Sequence, residues 1–281
     1  MRVVDGLLAA PVLPLVRSSA VRSERVNGMR VDLVIHPDVG SPERTILHIH
    51  GGGFVFGSTR THRFLAAQMS RACRARVVLF DYRLMPGHSI GSSIRDCMTA
   101  YEWVAATYRD SPLVLSGDSA GGNLMLTVLS RLHSDGRRLP VAAVGMSAWL
   151  DPDYQHPAGA PRDSFFSLRF ARRAADLAEP RSAITPLEAA LPTVPVLLQC
   201  GAEEPIGPAN HALVEQLDGN GVTAELQMWE RQPHVFQMLA PFTREAVAAL
   251  DAVDAFLSAL NQREVPTKPS AARSTPPPPG A

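Results

Sequence analysis

Short runs of apolar residues alternate with helix-like patterns through most of the chain, from about Val31 to Leu260. Most of these runs are continuously apolar, which is typical of strands covered on both faces of a parallel sheet. The predicted strands are 31–36, 45–50, 77–82, 113–117, 141–147, 194–201 and 224–229, and the predicted helices lie near 61–74, 90–107, 120–134, 208–219 and 242–260. This alternation predicts an α/β fold with a mostly parallel, doubly wound sheet.

One interval and both ends of the chain depart from this alternation. Residues 151–190 are too long for a simple connection and contain a predicted helix near 164–178, so we expect a small helical cap over the strand ends. We assign residues 1–25, approximately, to the same cap. The segment 263–281 is rich in Pro, Ser and Ala, which predicts a disordered tail. Residues 1–262 then form a single domain.

Composition and charge exclude several classes of partner. The 281 residues are 46% hydrophobic, which is enough for one sizeable core. The formal net charge is +0, without a basic block or an acidic tail, so we expect no nucleic-acid partner. No apolar run approaches the roughly 20 residues that a membrane span requires.

The cysteines and the N-terminal residues favour a cytoplasmic location. Cys73, Cys97 and Cys200 are widely spaced and odd in number, so we interpret them as buried thiols in a reducing compartment. The first residues resemble a signal peptide faintly, but Asp5 and two prolines interrupt their apolar run.

The stretch Gly117-Asp118-Ser119-Ala120-Gly121 fits the pattern G-x-S-x-G between a predicted strand and an apolar helix. The serine of this pattern sits on a sharp turn, where side chains at Gly117 and Gly121 would clash with neighbouring backbone. The N–H groups that begin the next helix would face charge developing beside Ser119. A glycine-rich turn with an idle serine would look similar, so Ser119 needs partners elsewhere in the chain.

A second motif, His50-Gly51-Gly52-Gly53-Phe54, follows another predicted strand. Successive glycines let backbone N–H groups approach a substrate oxygen, and each donor contributes about 3–4 kcal/mol when it faces a developing oxyanion. A phosphate-binding loop would need Lys with Ser or Thr, or G-x-G-x-x-G, and neither is present. We expect His50 to hold the loop by hydrogen bonds. Together the two motifs are far more specific than either alone.

With the segments DYRL and SAWLD, these motifs make the chain resemble the hormone-sensitive-lipase-like family of α/β-hydrolases, from about Ile46 to Leu260. The resemblance implies an α/β-hydrolase fold, with backbone oxyanion donors from Gly52, Gly53 and Ala120. It implies neither a metal nor an organic cofactor. It leaves a homodimer open, because the last strand and helix can make dimer contacts in similar proteins.

Hydrolases of this fold carry serine, acid and histidine in that order along the chain. Of the nine histidines, only His211 and His234 lie well after Ser119. His211 falls within a predicted helix, where a surface or capping role is the better interpretation. His234 follows the last predicted strand, and its segment HVF matches the family's histidine motif. We therefore expect His234 to be the general base.

Two adjacent glutamates, Glu203 and Glu204, are the candidates for the acid. Neighbouring side chains of an extended turn point apart, so only one can face the histidine. In the family the acid is often followed by proline, and placing Pro205 on that proline selects Glu204. Pro208 stands where the family often has a second acid, so the supporting interactions must differ here.

The family's segment P-E-H-x-x-P, which braces the oxyanion region, is altered at residues 86–91, where the acid and the second proline are missing. Asp96 and Asp118 are expected to be structural. Because serine, acid and histidine are all present, this departure does not indicate an inactive relative.

These residues predict a serine hydrolase that cleaves carboxylic esters of small or medium acyl chains through an acyl-enzyme on Ser119. An acyltransferase, amide hydrolase or cyclising enzyme on a specialised metabolite would use the same triad with another nucleophile in place of water. A non-catalytic receptor should have lost the nucleophile or the base. Substrate choice is expected to lie in the cap, which contains Phe165, Phe166, Leu168 and Phe170.

Overall fold

The computed structural model describes residues 21–151, 168–179 and 193–263. Within these ranges it contains an eight-stranded sheet in the order β1-β2-β4-β3-β5-β6-β7-β8. The strands are β1 (Val21–Val26), β2 (Met29–Val34), β3 (Arg44–Ile49), β4 (Ala75–Phe80), β5 (Leu113–Asp118), β6 (Ala142–Met146), β7 (Val196–Gly201) and β8 (Ala224–Trp229). β2 pairs antiparallel with β1 and β4, and the other pairs are parallel. The predicted α/β fold is confirmed.

Helices cover both faces of this sheet. They are α1 (Thr59–Ala72), α2 (Ile90–Thr107), α3 (Ala120–Ser134), α4 (Leu168–Asp176), α5 (Gly207–Gly219) and α6 (Arg244–Arg263), with a 3-10 helix at Phe236–Leu239. Side chains of α2, α3 and α5 form the core on one face, and those of α1 and α6 form it on the other. Every residue of β3, β5, β6 and β7 is buried, which explains why these strands appear as continuous apolar runs.

Strand β1 was not predicted, and the assignment of its residues to the cap is wrong. Val26 pairs with Met29 across a two-residue turn in which Asn27 and Gly28 both have positive φ, 49° and 83°. This is the backbone of a type I′ hairpin. Only Val26 of this edge strand is buried, so the strand has no continuous apolar run. The Asn-Gly dipeptide was the signal that could have revealed it.

The interval expected to form the cap is described only in part. Helix α4 lies inside the helix predicted near 164–178. The other residues assigned to the cap, at 1–20, 152–167 and 180–192, lie outside the described residues, as do Phe165, Phe166 and the tail beyond 263.

Candidate active site

Four loops meet at the edge of the sheet where the parallel strands end. β3 leads into the loop 50–54, β5 into Ser119, β7 into the loop that carries Glu204, and β8 into the loop that carries His234. The carboxyl ends of parallel strands lie on the same edge, so residues far apart in the sequence converge there.

Ser119 adopts a backbone conformation that non-glycine residues rarely adopt, with φ of 49° and ψ of −120°. The surrounding chain is too close for side chains at the flanking glycines. A Cβ on Gly117 would lie 2.4 Å from the carbonyl oxygen of Gly121, and a Cβ on Gly121 would lie 2.0 Å from that of Ile49. The predicted reason for these glycines is confirmed, and the sharp turn places Ser119 on the wall of a cavity.

His234 lies between Ser119 and Glu204. Its Nε2 atom is 2.9 Å from Oγ of Ser119, and its Nδ1 atom is 2.6 Å from Oε2 of Glu204. When Nδ1–H donates to the carboxylate, Nε2 is left to accept the serine proton. Glu204 is buried, whereas Glu203 and His211 are exposed. Of the two candidate acids, the structure therefore brings Glu204 to the histidine.

Ser147 holds both the carboxylate and the histidine loop, a role that the sequence analysis did not assign. Its hydroxyl donates to Oε1 of Glu204 at 2.6 Å and accepts the backbone N–H of Val235 at 3.0 Å. The N–H of Gly201 donates to the same carboxylate oxygen at 2.6 Å. These contacts support the glutamate in a chain that has Pro208 where the family often has a second acid. The signal in the sequence was the place of Ser147, directly after β6.

Replacing Ser147 with alanine is expected to lower kcat for ester hydrolysis about 10-fold while KM changes little. The loss follows because a hydrogen bond to a charged group contributes about 1.5–3 kcal/mol, and Glu204 would orient His234 less well. Steady-state kinetics of the variant measure it. Ser93→Ala is the control, because the Ser93 hydroxyl donates to the carbonyl of Arg83 at 2.6 Å, away from the triad. A kcat for Ser147→Ala equal to that of Ser93→Ala would refute this role.

The predicted oxyanion donors lie around the serine. Gly52 and Gly53 line the cavity and have positive φ, 113° and 59°. A Cβ on Gly52 would lie 2.2 Å from the carbonyl oxygen of Phe56, and a Cβ on Gly53 would lie 2.5 Å from the ring of Phe170. Ala120 begins α3, so its N–H is among those at the helix N-terminus that have no intrahelical acceptor. The glycines of this loop are needed for its conformation and for close packing.

His50 braces the oxyanion loop. Its Nδ1–H donates to the carbonyl of Gly51 at 2.8 Å, and its ring stacks on Tyr82 with 4.2 Å between the centroids. The Tyr82 hydroxyl donates to the carbonyl of His50 at 2.9 Å. Burial lowers the pKa of His50 to about 3, so the imidazole is neutral at neutral pH. These contacts are the hydrogen bonds expected of His50.

Asp118 links the serine turn to the same loop. Its Oδ1 atom accepts the N–H of Gly51 at 3.0 Å and lies 3.0 Å from Nε2 of His48 and 3.3 Å from Nε2 of His62. Burial opposes ionisation, but the contacts with His62 and His48 lower the pKa of Asp118 well below its usual range. Asp118 is therefore an ionised carboxylate that joins two parts of the site.

The altered segment 86–91 still adjoins the oxyanion loop. The N–H of Met85, directly before it, donates to the carbonyl of Phe54 at 2.9 Å. Asp96 accepts the backbone N–H of Arg83 at 2.9 Å and two guanidinium donors of the same residue at 2.8 and 2.7 Å. Asp96 therefore anchors the chain before this segment, as a structural residue would.

The cavity next to Ser119 has a volume of about 390 Å³ and a mostly apolar wall. Its large apolar lining residues are Phe56, Trp149, Phe170, Phe236, Met238 and Leu239. Phe170, one of the residues named for the cap, reaches this wall. Besides Ser119 and His234, polar side chains at the wall come from Thr61, His62 and Asp118.

The sheet order, the strained serine turn and the serine–histidine–glutamate arrangement define a protein of the α/β-hydrolase class. Residues 46–238 match the family described as alpha/beta hydrolase fold. The chain belongs to this family, and within it to the hormone-sensitive-lipase-like group.

Particular relatives support this placement. The chain is 32% identical over 231 residues to the esterase LipU of Mycobacterium tuberculosis, and the match covers 76% of this chain and 77% of LipU. It is 34% identical over 235 residues to the carboxylesterase/phospholipase LipF of the same species, of whose length it spans 61%. A crystal structure of an esterase from the bacterial hormone-sensitive lipase family is similar with a TM-score of 0.78 and 31% identity, covering 90% of this chain and 89% of that chain.

Proposed function

We propose that this protein is a carboxylesterase that cleaves esters of small or medium acyl chains through an acyl-enzyme on Ser119. The observation that carries the proposal is the continuous set of hydrogen bonds from Ser119 through His234 to Glu204, at the wall of an apolar cavity. The esterase names of LipU and LipF support the same reaction class.

Acylation begins when Nε2 of His234 takes the proton from Ser119 Oγ as the oxygen attacks the ester carbonyl. The imidazole becomes positively charged, and the carboxylate of Glu204 at 2.6 Å stabilises that charge and keeps the proton on Nδ1. Ser147 and Gly201 hold the other oxygen of Glu204, so the carboxylate need not reorient during the reaction.

The carbonyl oxygen becomes an oxyanion in the tetrahedral intermediate. The N–H groups of Gly52, Gly53 and Ala120 would donate to it, each contributing about 3–4 kcal/mol in a site of this kind. His234 then gives its proton to the leaving alcohol, and a water molecule activated by the same histidine releases the acid. His234 carries out every proton transfer, so this reaction requires no cofactor.

The test is turnover of p-nitrophenyl acetate, butyrate and palmitate. We expect saturable hydrolysis of acetate and butyrate, and much slower hydrolysis of palmitate, because a cavity of about 390 Å³ lies toward the small end of ligand pockets. A phosphonate ester should abolish this activity, losing its leaving group to solvent and adding the mass of its phosphonyl group to the peptide that contains Ser119. Activity on short esters that survives complete labelling of Ser119 would contradict the proposal.

The same assay separates the alternatives that share the triad. With a primary amine added at increasing concentration, an esterase forms mainly the free acid, whereas an acyltransferase forms mainly the amide. A p-nitroanilide with the same acyl group tests amide hydrolysis directly. Turnover confined to the anilide, or amide formation that exceeds hydrolysis, would reassign the reaction.

We also propose a cytoplasmic location. Cys73, Cys97 and Cys200 are all buried free thiols, as expected in a reducing compartment. None of the helices in the described ranges has the length and apolarity of a membrane span. Fractionation of the source cells tests the location, and recovery in the secreted fraction would contradict it.

A further inference from the structure

Two histidines and one aspartate form a buried cluster beside the triad. His48 comes from β3, His62 from α1 and Asp118 from the end of β5, and their exposed fractions are 0%, 5% and 2%. Metal-ligating atoms of the three side chains all lie within 4.8 Å of one another. His62 and Asp118 also line the substrate cavity, so small ions can enter from it.

His62 directs its Nε2 atom at the Asp118 carboxylate. The Thr61 hydroxyl lies 2.9 Å from the carbonyl of Ser58 and 2.8 Å from Nδ1 of His62, and these contacts orient the ring. Nε2 of His62 lies 3.3 and 3.4 Å from the two oxygens of Asp118. A metal ion bound here would take the place of the proton that otherwise joins the two side chains.

The spacing of these donor atoms is close to that of a metal site. Donor atoms around tetrahedral Zn²⁺ lie about 3.3–3.5 Å apart, given metal–ligand bonds of about 2.0–2.2 Å. The separations between His62 and Asp118 fall at this value, whereas Nε2 of His48, 3.0 Å from Oδ1 of Asp118, would have to move outward slightly to bind the same ion.

The atoms behind the ligands also fit a metal site. A histidine that binds metal through one ring nitrogen donates its other N–H to an oxygen, which fixes the ring and raises its basicity. Nδ1 of His48 lies 2.6 Å from the hydroxyl of Ser116, and Nδ1 of His62 lies 2.8 Å from that of Thr61. Both Nε2 atoms are thus directed at the carboxylate.

We propose that His48, His62 and Asp118 bind one Zn²⁺ ion and that the ion inhibits the enzyme. Two imidazoles and one carboxylate are a ligand set that Zn²⁺ accepts, with a fourth position left for water. That position would face the cavity, because two of the ligands line it. Coordination would also draw the Asp118 carboxylate away from the N–H of Gly51, which precedes the oxyanion donors. The inhibition rests on the proposed esterase function, whereas the binding does not.

The experiment titrates metal-free protein with Zn²⁺ in competition with a chromophoric chelator. We expect one ion per chain, bound at least about 10-fold more weakly by His48→Gln and by His62→Gln. His211→Gln removes an exposed histidine and His234→Ala removes the triad histidine, and both variants should bind as the wild type does. Zn²⁺ should also inhibit the wild-type hydrolysis of p-nitrophenyl butyrate, at a concentration that leaves His48→Gln uninhibited.

Two outcomes would overturn the proposal. One is that the protein binds no stoichiometric ion. The other is that binding is lost in His234→Ala but retained in both His48→Gln and His62→Gln, which would place the ion at the triad.

Circular dichroism checks the fold of each variant. If His48→Gln or His62→Gln does not fold, the visible spectrum of Co²⁺ bound to the wild type is measured instead. Intense visible bands of tetrahedral Co²⁺ at one equivalent support the site, and their absence refutes it. Because the titration needs no turnover, failure of the esterase assay leaves the test of binding intact.

Discussion

Replacing Ser119 with alanine is expected to lower kcat for short p-nitrophenyl esters by about 10⁶-fold, because loss of the nucleophile alone removes most of what a serine triad contributes. Alanine leaves Nε2 of His234 without the oxygen that lies 2.9 Å away in the wild type. The remaining rate should come from substrate binding and from the oxyanion donors.

Burst kinetics and mass spectrometry check this result together with the rate. The wild type should release p-nitrophenol in a burst if deacylation is slower than acylation, and the variant should show no burst and no adduct on the peptide containing residue 119. Ser130→Ala is the matched control, because Ser130 lies on α3, the helix that follows Ser119. Its kcat should stay within about two-fold of the wild type. A Ser119→Ala variant that hydrolyses esters as fast as this control would exclude the serine mechanism.

Replacing Glu204 with glutamine is expected to lower kcat by about 10³–10⁴-fold, as removal of the triad acid does in other serine hydrolases. Oε1 of Glu204 accepts two donors, the Ser147 hydroxyl and the Gly201 N–H. An amide nitrogen in the place of Oε1 would face two donors and could accept neither hydrogen bond. The amide nitrogen of the glutamine must therefore face Nδ1 of His234 instead. The imidazole then carries its hydrogen on Nε2 and can no longer accept the proton of Ser119.

Glu203→Gln is the matched control for this prediction. It makes the same chemical change at the adjacent residue, which is exposed to solvent, so its kcat should stay within about two-fold of the wild type. Thermal unfolding of both variants separates catalytic loss from unfolding. A large loss in Glu203→Gln with a small loss in Glu204→Gln would exchange the roles of the two residues.

Much of the fold could be predicted from the sequence because buried parallel strands carry a strong local signal. Each residue of β3, β5, β6 and β7 is buried, and the corresponding apolar runs were found. Strand β1 was missed because an edge strand buries few side chains and therefore carries little apolar pattern. The register of its hairpin depends on the turn at Asn27 and Gly28, which a search for apolar runs does not detect.

The sequence by itself determined the order of the site along the chain: an oxyanion loop, a strained serine turn, an acid loop and a histidine loop. Such motifs are visible because sharp turns and close backbone approaches accept few residue types, as the contacts of Gly121 with Ile49 illustrate. The resemblance to a family added the choice of Glu204, which local geometry alone left open.

Tertiary structure showed how side chains from different strand ends meet, and it alone revealed the contacts that no motif predicts. It separated buried Glu204 from exposed Glu203, brought Ser147 from β6 to the carboxylate, and gathered His48 and His62 around Asp118. These contacts join residues that are distant in the chain, and no local pattern encodes them. They exist because packing helices on both faces of one twisted sheet fixes where each strand ends, and therefore what each side chain can reach.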